Sequence, residues 1–252
     1  MGQLLGHEKL WVSFEKLVRE NALGHAYLFF GDTEIGKASF ARQLATFIEK
    51  GRDEESGESL SDAAVFAPNE KGAIGIDDVR ALKRFLWQTP FNSQKRVAIV
   101  DGAHALTPEA QGAMLKIVEE PPAHALLMLI TYDPQVLSAP LLSRLSKIYF
   151  ARMPKKSLAK FLAKEKTLTE RRAEEIAEKS YGRIGRALKL LGKTEEPADD
   201  ISKSIEARIV ALRERGVVEN SGKLAWLLER EALVAQYNVN SPLQKKVVEY
   251  KG

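Results

Sequence analysis

The chain has 252 residues, of which 44% are hydrophobic and 29% are charged, so it can bury one large core or two smaller ones. It contains no cysteine, which excludes disulfides, a thiol nucleophile and every zinc or iron–sulfur site that needs a thiolate. A net charge of +4 slightly favours anionic partners, and no membrane-length apolar run or secretory signal is evident, so we expect a soluble cytoplasmic protein.

The first 150 residues alternate short apolar runs, which predict strands, with stretches whose apolar spacing predicts helices. The strands are expected at residues 26–30, 63–67, 97–100, 126–130 and 148–150. The helices are expected at 10–18 and 40–48, from Asp77, and from Thr107-Pro108, where a hydroxyl caps free amides beside a proline. Apolar strands separated by helices indicate an α/β fold with a parallel sheet covered on both faces.

The composition changes near Met153, after which helix-forming residues dominate. Residues 167–170 match a capping box before a helix that is expected to end at Tyr181-Gly182. Residues 194–197 are typical of a linker, and residues 201–250 contain two or three amphipathic helices. We therefore expect an α/β domain at 1–153, a small helical domain at 154–193 and an all-α segment at 194–252.

Residues 31–38, Gly-Asp-Thr-Glu-Ile-Gly-Lys-Ala, lie between a predicted strand and a predicted helix, as a phosphate-binding loop does. Gly31 and Gly36 would let backbone amides point at phosphate oxygens, and Lys37 would supply a cation. The hydroxyl that should bind magnesium is replaced by Ala38, and Ser39 comes one residue late, rotated by about 100° on a helix. The loop predicts phosphate-loop ancestry and leaves present nucleotide binding open.

The third predicted strand ends in a carboxylate, Asp101, which could hold a magnesium-bound water. A nucleotide hydrolase usually has a glutamate next, to activate the attacking water, whereas this chain has Gly102. Together, Ala38 and Gly102 remove the hydroxyl that would bind magnesium and the carboxylate that would activate the attacking water, while the predicted strand–loop–helix arrangement is kept. These residues therefore predict a nucleotide-binding fold with little or no hydrolysis.

Four further motifs, in order along the chain, occupy residues 24–29, 75–80, 115–122 and 142–144; they read GHAYLF, GIDDVR, LKIVEEPP and LSR. In this combination the sequence resembles the delta-prime subunits of bacterial DNA polymerase III clamp loaders, which are AAA+ proteins. The resemblance covers about residues 1–190. It implies an AAA+ P-loop domain with a five-stranded parallel sheet, a helical lid at 154–193 and a shortened collar at 194–252.

The resemblance also implies roles for single residues. The family's Ser-Arg-Cys motif is Ser143-Arg144-Leu145 here, so Arg144 would act in trans as an arginine finger on ATP held by a neighbouring subunit. From residue type alone, Arg144 would be a surface arginine in a salt bridge. Thr131 falls at the water-sensing position or is a strand cap. Gly185 replaces the lid arginine of the ATP-hydrolysing relatives, with Arg186 displaced by one residue.

By resemblance, the chain is a clamp-loader subunit, a component of the DNA polymerase holoenzyme, with little or no ATPase activity of its own. Its implied partners are gamma/tau-like ATPase subunits, a delta-like subunit, the sliding clamp and primed DNA. The degenerate site of Gly31, Gly36, Lys37, Asp101 and Thr131 would hold ATP or ADP without hydrolysis, or no nucleotide. The acidic loop 51–62 replaces the family's four-cysteine zinc module, so no metal is implied.

Two other functions stay open at this point. The first is a self-sufficient AAA+ ATPase of replication or repair that uses Lys37 and Asp101, with Glu119 or Glu120 as a substitute base. The second is a nucleic-acid-binding module that uses the lysines of residues 155–166, a run that is more typical of a solvated helix face.

Overall fold

A computed structural model describes residues 6–51, 60–166 and 168–192 of the chain. The predicted linker at 194–197, the helices within 201–250 and the collar segment lie outside these residues, as does most of the acidic loop 51–62. The domain limits at 1–153 and 154–193 stay predictions.

The described residues alternate helices with strands up to residue 149 and are helical after it. The α-helices are α1 (Glu8–Arg19), α2 (Lys37–Lys50), α3 (Ile76–Leu86), α4 (Pro108–Glu119), α5 (Ala139–Ser143), α6 (Lys155–Glu165), α7 (Glu170–Lys179) and α8 (Ile184–Gly192). The strands are β1 (Ala26–Phe30), β2 (Ala63–Phe66), β3 (Arg96–Asp101), β4 (Ala125–Thr131) and β5 (Ser146–Tyr149). Short 3-10 turns follow β3 at Ala103–Ala105 and β4 at Pro134–Val136.

The five strands form one parallel sheet in the order β2-β3-β4-β1-β5, which confirms the predicted sheet. The register pairs Phe30 with Thr131 and Asp101 with Ile130, so β1, β3 and β4 end at the same edge of the sheet. Ligands of open parallel sheets bind at this edge, in the crevice beyond the carboxyl ends of the strands. The topology therefore brings the residues that follow these three strands together.

Successive side chains of β1 enter different cores because side chains alternate across a strand. Leu28 packs in the core that α3, α4 and α5 cover. Phe29 packs in the core under α1 and α2, where its ring contacts Phe14, Phe40 and Phe150 with centroid separations of 5.2–5.8 Å. Both faces of the sheet are thus buried, as the apolar strands predicted.

Two local expectations are corrected by the structure. The fifth strand was expected at 148–150, but β5 begins at Ser146 and ends at Tyr149, because its pairing with β1 starts at Tyr27. Polar residues open this edge strand, so the apolar pattern starts late. The capping box predicted at 167–170 is wrong: α7 begins at Glu170 with Thr169 as its N-cap, which makes Glu170 the first helical residue.

Thr107 caps α4 as predicted, with its hydroxyl accepting a hydrogen bond from the amide of Ala110 at 3.2 Å. The helix expected to end near Tyr181-Gly182 ends at Lys179; Ser180 is its C-cap, and Tyr181 and Gly182 both have positive φ. In the part of the chain that the structure describes, no helix has the length and hydropathy needed to cross a membrane.

Candidate functional site

A cleft of about 450 Å³ lies at the edge of the sheet where β3 and β4 end, between the loop of residues 31–38 and α8. Four of the five residues predicted to form the nucleotide-type site line it: Gly36, Lys37, Asp101 and Thr131. The fifth, Gly31, starts the loop directly after β1. The structure thus brings together the predicted site residues of the sheet edge, but Arg144 is not among those that line the cleft.

Gly31 fixes how the loop leaves the sheet. Its φ of +135° is a conformation that other residues rarely adopt, and a Cβ atom placed there would overlap the carbonyl oxygen of Phe150. The loop then runs to Gly36, the N-cap of α2, so the first turn of that helix faces the cleft. This strand–loop–helix geometry can present backbone N–H groups to an anion.

The ammonium group of Lys37 is held by the loop itself. The side chain is buried, with only 7% of the residue exposed, and Nζ donates to the carbonyl oxygen of Gly31 at 2.6 Å and to that of Asp32. Burial lowers the pKa of Lys37 to about 8, against the opposing effect of the Asp32 and Asp101 carboxylates. The cation that was predicted to bind phosphate therefore already has two acceptors.

We expect Lys37 to lose its proton at about pH 8, well below the ordinary lysine value of 10.5. Between those two values the unfolded chain retains a proton that the folded loop releases, so Lys37 makes stability rise with pH in this window. Side-chain NMR of ¹³Cε, assigned by loss of the signal in Lys37→Met, would measure the titration. A midpoint above pH 10 would contradict the expected lowering of the pKa, and Lys37→Met should remove the contribution of Lys37 to the rise in unfolding free energy.

The lining of the cleft differs from a magnesium site of the phosphate-loop type, although Ser39 and Asp101 are both part of it. Ala38 stands where the hydroxyl would be, and Asp101 forms an ion pair with Arg42 at 3.4 Å. The hydroxyl of Thr131 donates to the carbonyl oxygen of Asp133 at 2.9 Å and closes the turn after β4, as a strand cap does. Throughout the described ranges, no group of three or more His, Asp and Glu side chains could hold a metal. The residues of the cleft fit a phosphate group better than they fit its magnesium ion.

The helix α8 lies directly on the loop. The amide of Gly185 donates to the carbonyl oxygen of Glu34 at 2.7 Å, and Lys189 forms an ion pair with the Glu34 carboxylate. A Cβ atom at Gly185 would lie 3.0 Å from that carbonyl oxygen, so the close packing of α8 against the loop favours glycine at this position. The guanidinium of Arg186 lies 5.6 Å from the ring of Tyr181 and does not line the cleft. An arginine therefore does not reach into the cleft from either position.

Sequence reasoning did not single out His7, which also lines the cleft. Its Nε2 lies 2.9 Å from the carbonyl oxygen of Ile35, and its ring meets Phe150 edge-on at 4.7 Å. Burial lowers the pKa of His7, opposed by the bond to Ile35. A lone histidine ahead of the first helix carries no pattern from which this position could be predicted.

Arg144 lies away from the cleft, at the C-cap of α5. Its guanidinium contacts the carboxylate of Glu119 at 2.7 Å, the carbonyl oxygen of Pro140 at 3.0 Å and the hydroxyl of Ser143 at 3.3 Å. The side chain is still 41% exposed. The next residue, Leu145, is buried in the core and serves packing. Glu119, considered as a substitute base, is thus bound to Arg144, and neither it nor Glu120 lines the cleft.

Four of the five lysines of residues 155–166, all except Lys166, line a groove together with acidic residues of α7. Lys155, for example, forms an ion pair with Glu178 at 2.7 Å. The carboxylates that face this lysine run offset its charge, which makes it a poor site for a nucleic-acid backbone.

Residues 6–154 match the protein family described as "DNA polymerase III, delta subunit". The DNA polymerase III subunit gamma/tau of Mycobacterium tuberculosis is 31% identical over 175 residues, which cover 64% of this chain and 30% of that protein. The DNA polymerase III subunit tau of Bacillus subtilis is 26% identical over 225 residues, which cover 82% of this chain and 40% of that protein. The chain therefore spans less than half the length of these relatives.

Among solved structures, the RuvB Holliday junction branch migration motor of Thermotoga maritima superposes with a TM-score of 0.56 at 18% sequence identity. The match covers 82% of this chain and 64% of that one. This likeness concerns the fold alone, which is the AAA+ P-loop fold that the sequence predicted.

Proposed function

Because the chain belongs to the DNA polymerase III delta subunit family of bacterial clamp-loader AAA+ proteins, we propose that it is a delta-prime-like clamp-loader subunit. In this proposal it hydrolyses little or no ATP and donates Arg144 as an arginine finger to a neighbouring ATPase subunit. Its partners are gamma/tau-like ATPase subunits, a delta-like subunit, the sliding clamp and primed DNA, in the cytoplasm. The observation that carries the proposal is an exposed, ordered guanidinium that lies outside the chain's own cleft.

The residues that line the cleft support the proposal that this subunit does not hydrolyse ATP itself. Phosphoryl transfer needs a metal to neutralise phosphate charge, a group to orient the attacking water, and cations on the phosphates. At the three corresponding positions the chain has Ala38, Gly102 and Gly185, which all line the cleft and provide no such side chains. The cleft can hold a phosphate group through loop amides and Lys37, but the residues for cleaving it are missing.

The surroundings of Arg144 support action on a neighbour. Its guanidinium lies at the end of α5, and 41% of the side chain is exposed. An arginine presented in this way can place its planar fork of donors against phosphate oxygens in an adjoining subunit. Such fingers contribute roughly 10³–10⁵ to the rate of phosphoryl transfer in other NTPases. The protein then acts through the charge that it presents, and its own nucleotide state has no catalytic role.

The test is DNA-stimulated ATP hydrolysis by a clamp loader reconstituted from this chain and its cognate ATPase subunits. Arg144→Ala should lower the rate about tenfold or more, and Arg144→Lys should restore little, since an ammonium lacks the planar fork. The control is Arg80→Ala, another exposed arginine in an ion pair, with Asp77 at 2.8 Å. An unchanged rate in Arg144→Ala, with the complex intact, would refute the proposal.

The same preparation separates this function from a self-sufficient ATPase. The chain alone should show no DNA-stimulated hydrolysis, whereas turnover near about 1 s⁻¹, abolished by Lys37→Ala, would establish the ATPase.

A further inference from the structure

We infer that Glu119 is a positioning residue for the arginine finger, holding the Arg144 guanidinium in place before a neighbouring subunit arrives. The inference rests on the proposed function of Arg144. Glu119 does not touch the nucleotide in this scheme. It acts through the ion pair of 2.7 Å between its Oε1 and Nη2 of Arg144.

The two residues sit at the ends of two helices whose relative position is fixed. Glu119 is the last residue of α4, and Arg144 directly follows α5. The side chain of Gln111 on α4 accepts a hydrogen bond from the amide of Ser138, the N-cap of α5, at 2.7 Å, and donates to the carbonyl oxygen of Val136 at 3.2 Å. Because these bonds tie α5 to α4, the carboxylate of Glu119 has a set position relative to Arg144.

The contacts hold the guanidinium while leaving it able to bind. The Glu119 carboxylate forms an ion pair with Nη2 of Arg144. Nη1 donates hydrogen bonds to the carbonyl oxygen of Pro140 and to the hydroxyl of Ser143. A guanidinium has five N–H donors, so these contacts leave donors for an acceptor outside the subunit. Ser143 is itself held, since its hydroxyl donates to Pro140 at 2.8 Å.

Ordering the finger in advance lowers the entropic cost of binding a phosphate across an interface. Arginine loses much rotamer freedom when it is fixed, and part of this loss has already occurred in the isolated subunit. An ion pair that is this exposed has a modest strength, and its removal should change the rate about two- to fivefold. The expected effect is thus smaller than the effect of removing Arg144.

The experiment measures DNA-stimulated ATP hydrolysis by the reconstituted clamp loader with Glu119→Ala and with Glu119→Gln. The matched control is Glu120→Ala, which removes the adjacent exposed carboxylate. Glu119→Ala should lower hydrolysis about two- to fivefold. Glu119→Gln should be intermediate because its amide oxygen still accepts a hydrogen bond, and Glu120→Ala should leave the rate unchanged. Assembly and melting temperature are measured for every variant, so loss of the complex is not counted as loss of rate.

A double-mutant cycle separates positioning from a purely structural role. In the Arg144→Ala background, Glu119→Ala should have no further effect, because the group it positions is gone. If Glu119→Ala causes the same decrease in the Arg144→Ala background, the inference is overturned while the proposed function stands. The same holds if Glu119→Ala, made alone, leaves the rate unchanged or raises it. If Arg144→Ala itself has no effect, the proposed function fails instead.

Discussion

Replacing Asp62 with alanine is expected to lower the free energy of unfolding by about 3–5 kcal/mol, because it removes one partner of a buried ion pair. Asp62 is 1% exposed, and its carboxylate contacts Nη1 of Arg96 at 2.7 Å. The same carboxylate accepts hydrogen bonds from the backbone amides of Phe91, Asn92 and Ser93 at 2.6–2.8 Å. Alanine would leave the Arg96 charge buried and three amides without their acceptor.

Chemical denaturation at neutral pH would measure the change. The matched control is Asp77→Ala, which also removes a carboxylate bound to an arginine, but one whose side chain is 86% exposed. Its loss should be no more than about 1 kcal/mol. If the two variants lost similar amounts, the buried network would not have the stabilising role that its geometry indicates.

The Asp62 contacts also predict a pH dependence. Burial raises the pKa of Asp62, but the three amides and Arg96 outweigh it, so the pKa lies below the ordinary 3.8. A depressed folded-state pKa gives stability that is present above the unfolded value and is lost as pH falls through the folded value. Below about pH 4, the unfolding free energy of Asp62→Ala should therefore fall less steeply than that of the native chain.

Replacing Gly31 with alanine is expected to lower the free energy of unfolding by about 3 kcal/mol or more, since strain and overlap act together. The φ of +135° disfavours any side chain, and the new Cβ would overlap the Phe150 carbonyl oxygen, which the adjoining chain holds in place. The N–H of Phe150 donates to Phe30 at 2.8 Å, so this backbone cannot withdraw without losing a bond to β1.

Gly51→Ala separates the two causes. Gly51 also has a positive φ, +66°, but among the described residues nothing lies within 4 Å of a Cβ atom placed there. Its loss should therefore be about 1–2 kcal/mol, the cost of the backbone conformation alone. Denaturation of both variants, with intact secondary structure checked by circular dichroism, would test this. Equal losses would show that Phe150 yields and that the overlap has no energetic consequence.

The sequence predicts the features of this protein that depend on residues close together along the chain. Apolar runs located the strands, and the contiguous loop from Gly31 to Ala38 located the cleft. The start of β5 was missed because Ser146 and Lys147 pair with β1 through their backbone, and their side chains give no apolar signal. Pairing between strands is decided by the whole sheet, so a local pattern does not reveal where an edge strand begins.

The polar pairs of the site could not be predicted for the same reason. Arg42 with Asp101 and Glu119 with Arg144 each join distant segments, and none of these residues lies in a pattern that points to its partner. Helix packing and sheet order determine which charged groups meet. The resemblance assigned a role to Arg144, but the carboxylate that holds it became visible only when α4 and α5 were placed side by side.

The bonds from Lys37 to its own loop have a consequence for any anion that enters the cleft. Two of the three ammonium hydrogens donate to the carbonyl oxygens of Gly31 and Asp32, so a phosphate that accepts more than one of these hydrogens competes with the backbone. The measured dissociation constant is then the intrinsic one divided by the fraction of molecules in which those bonds are open. A change that opens these two bonds without moving the loop amides should tighten phosphate binding without adding a contact to the phosphate.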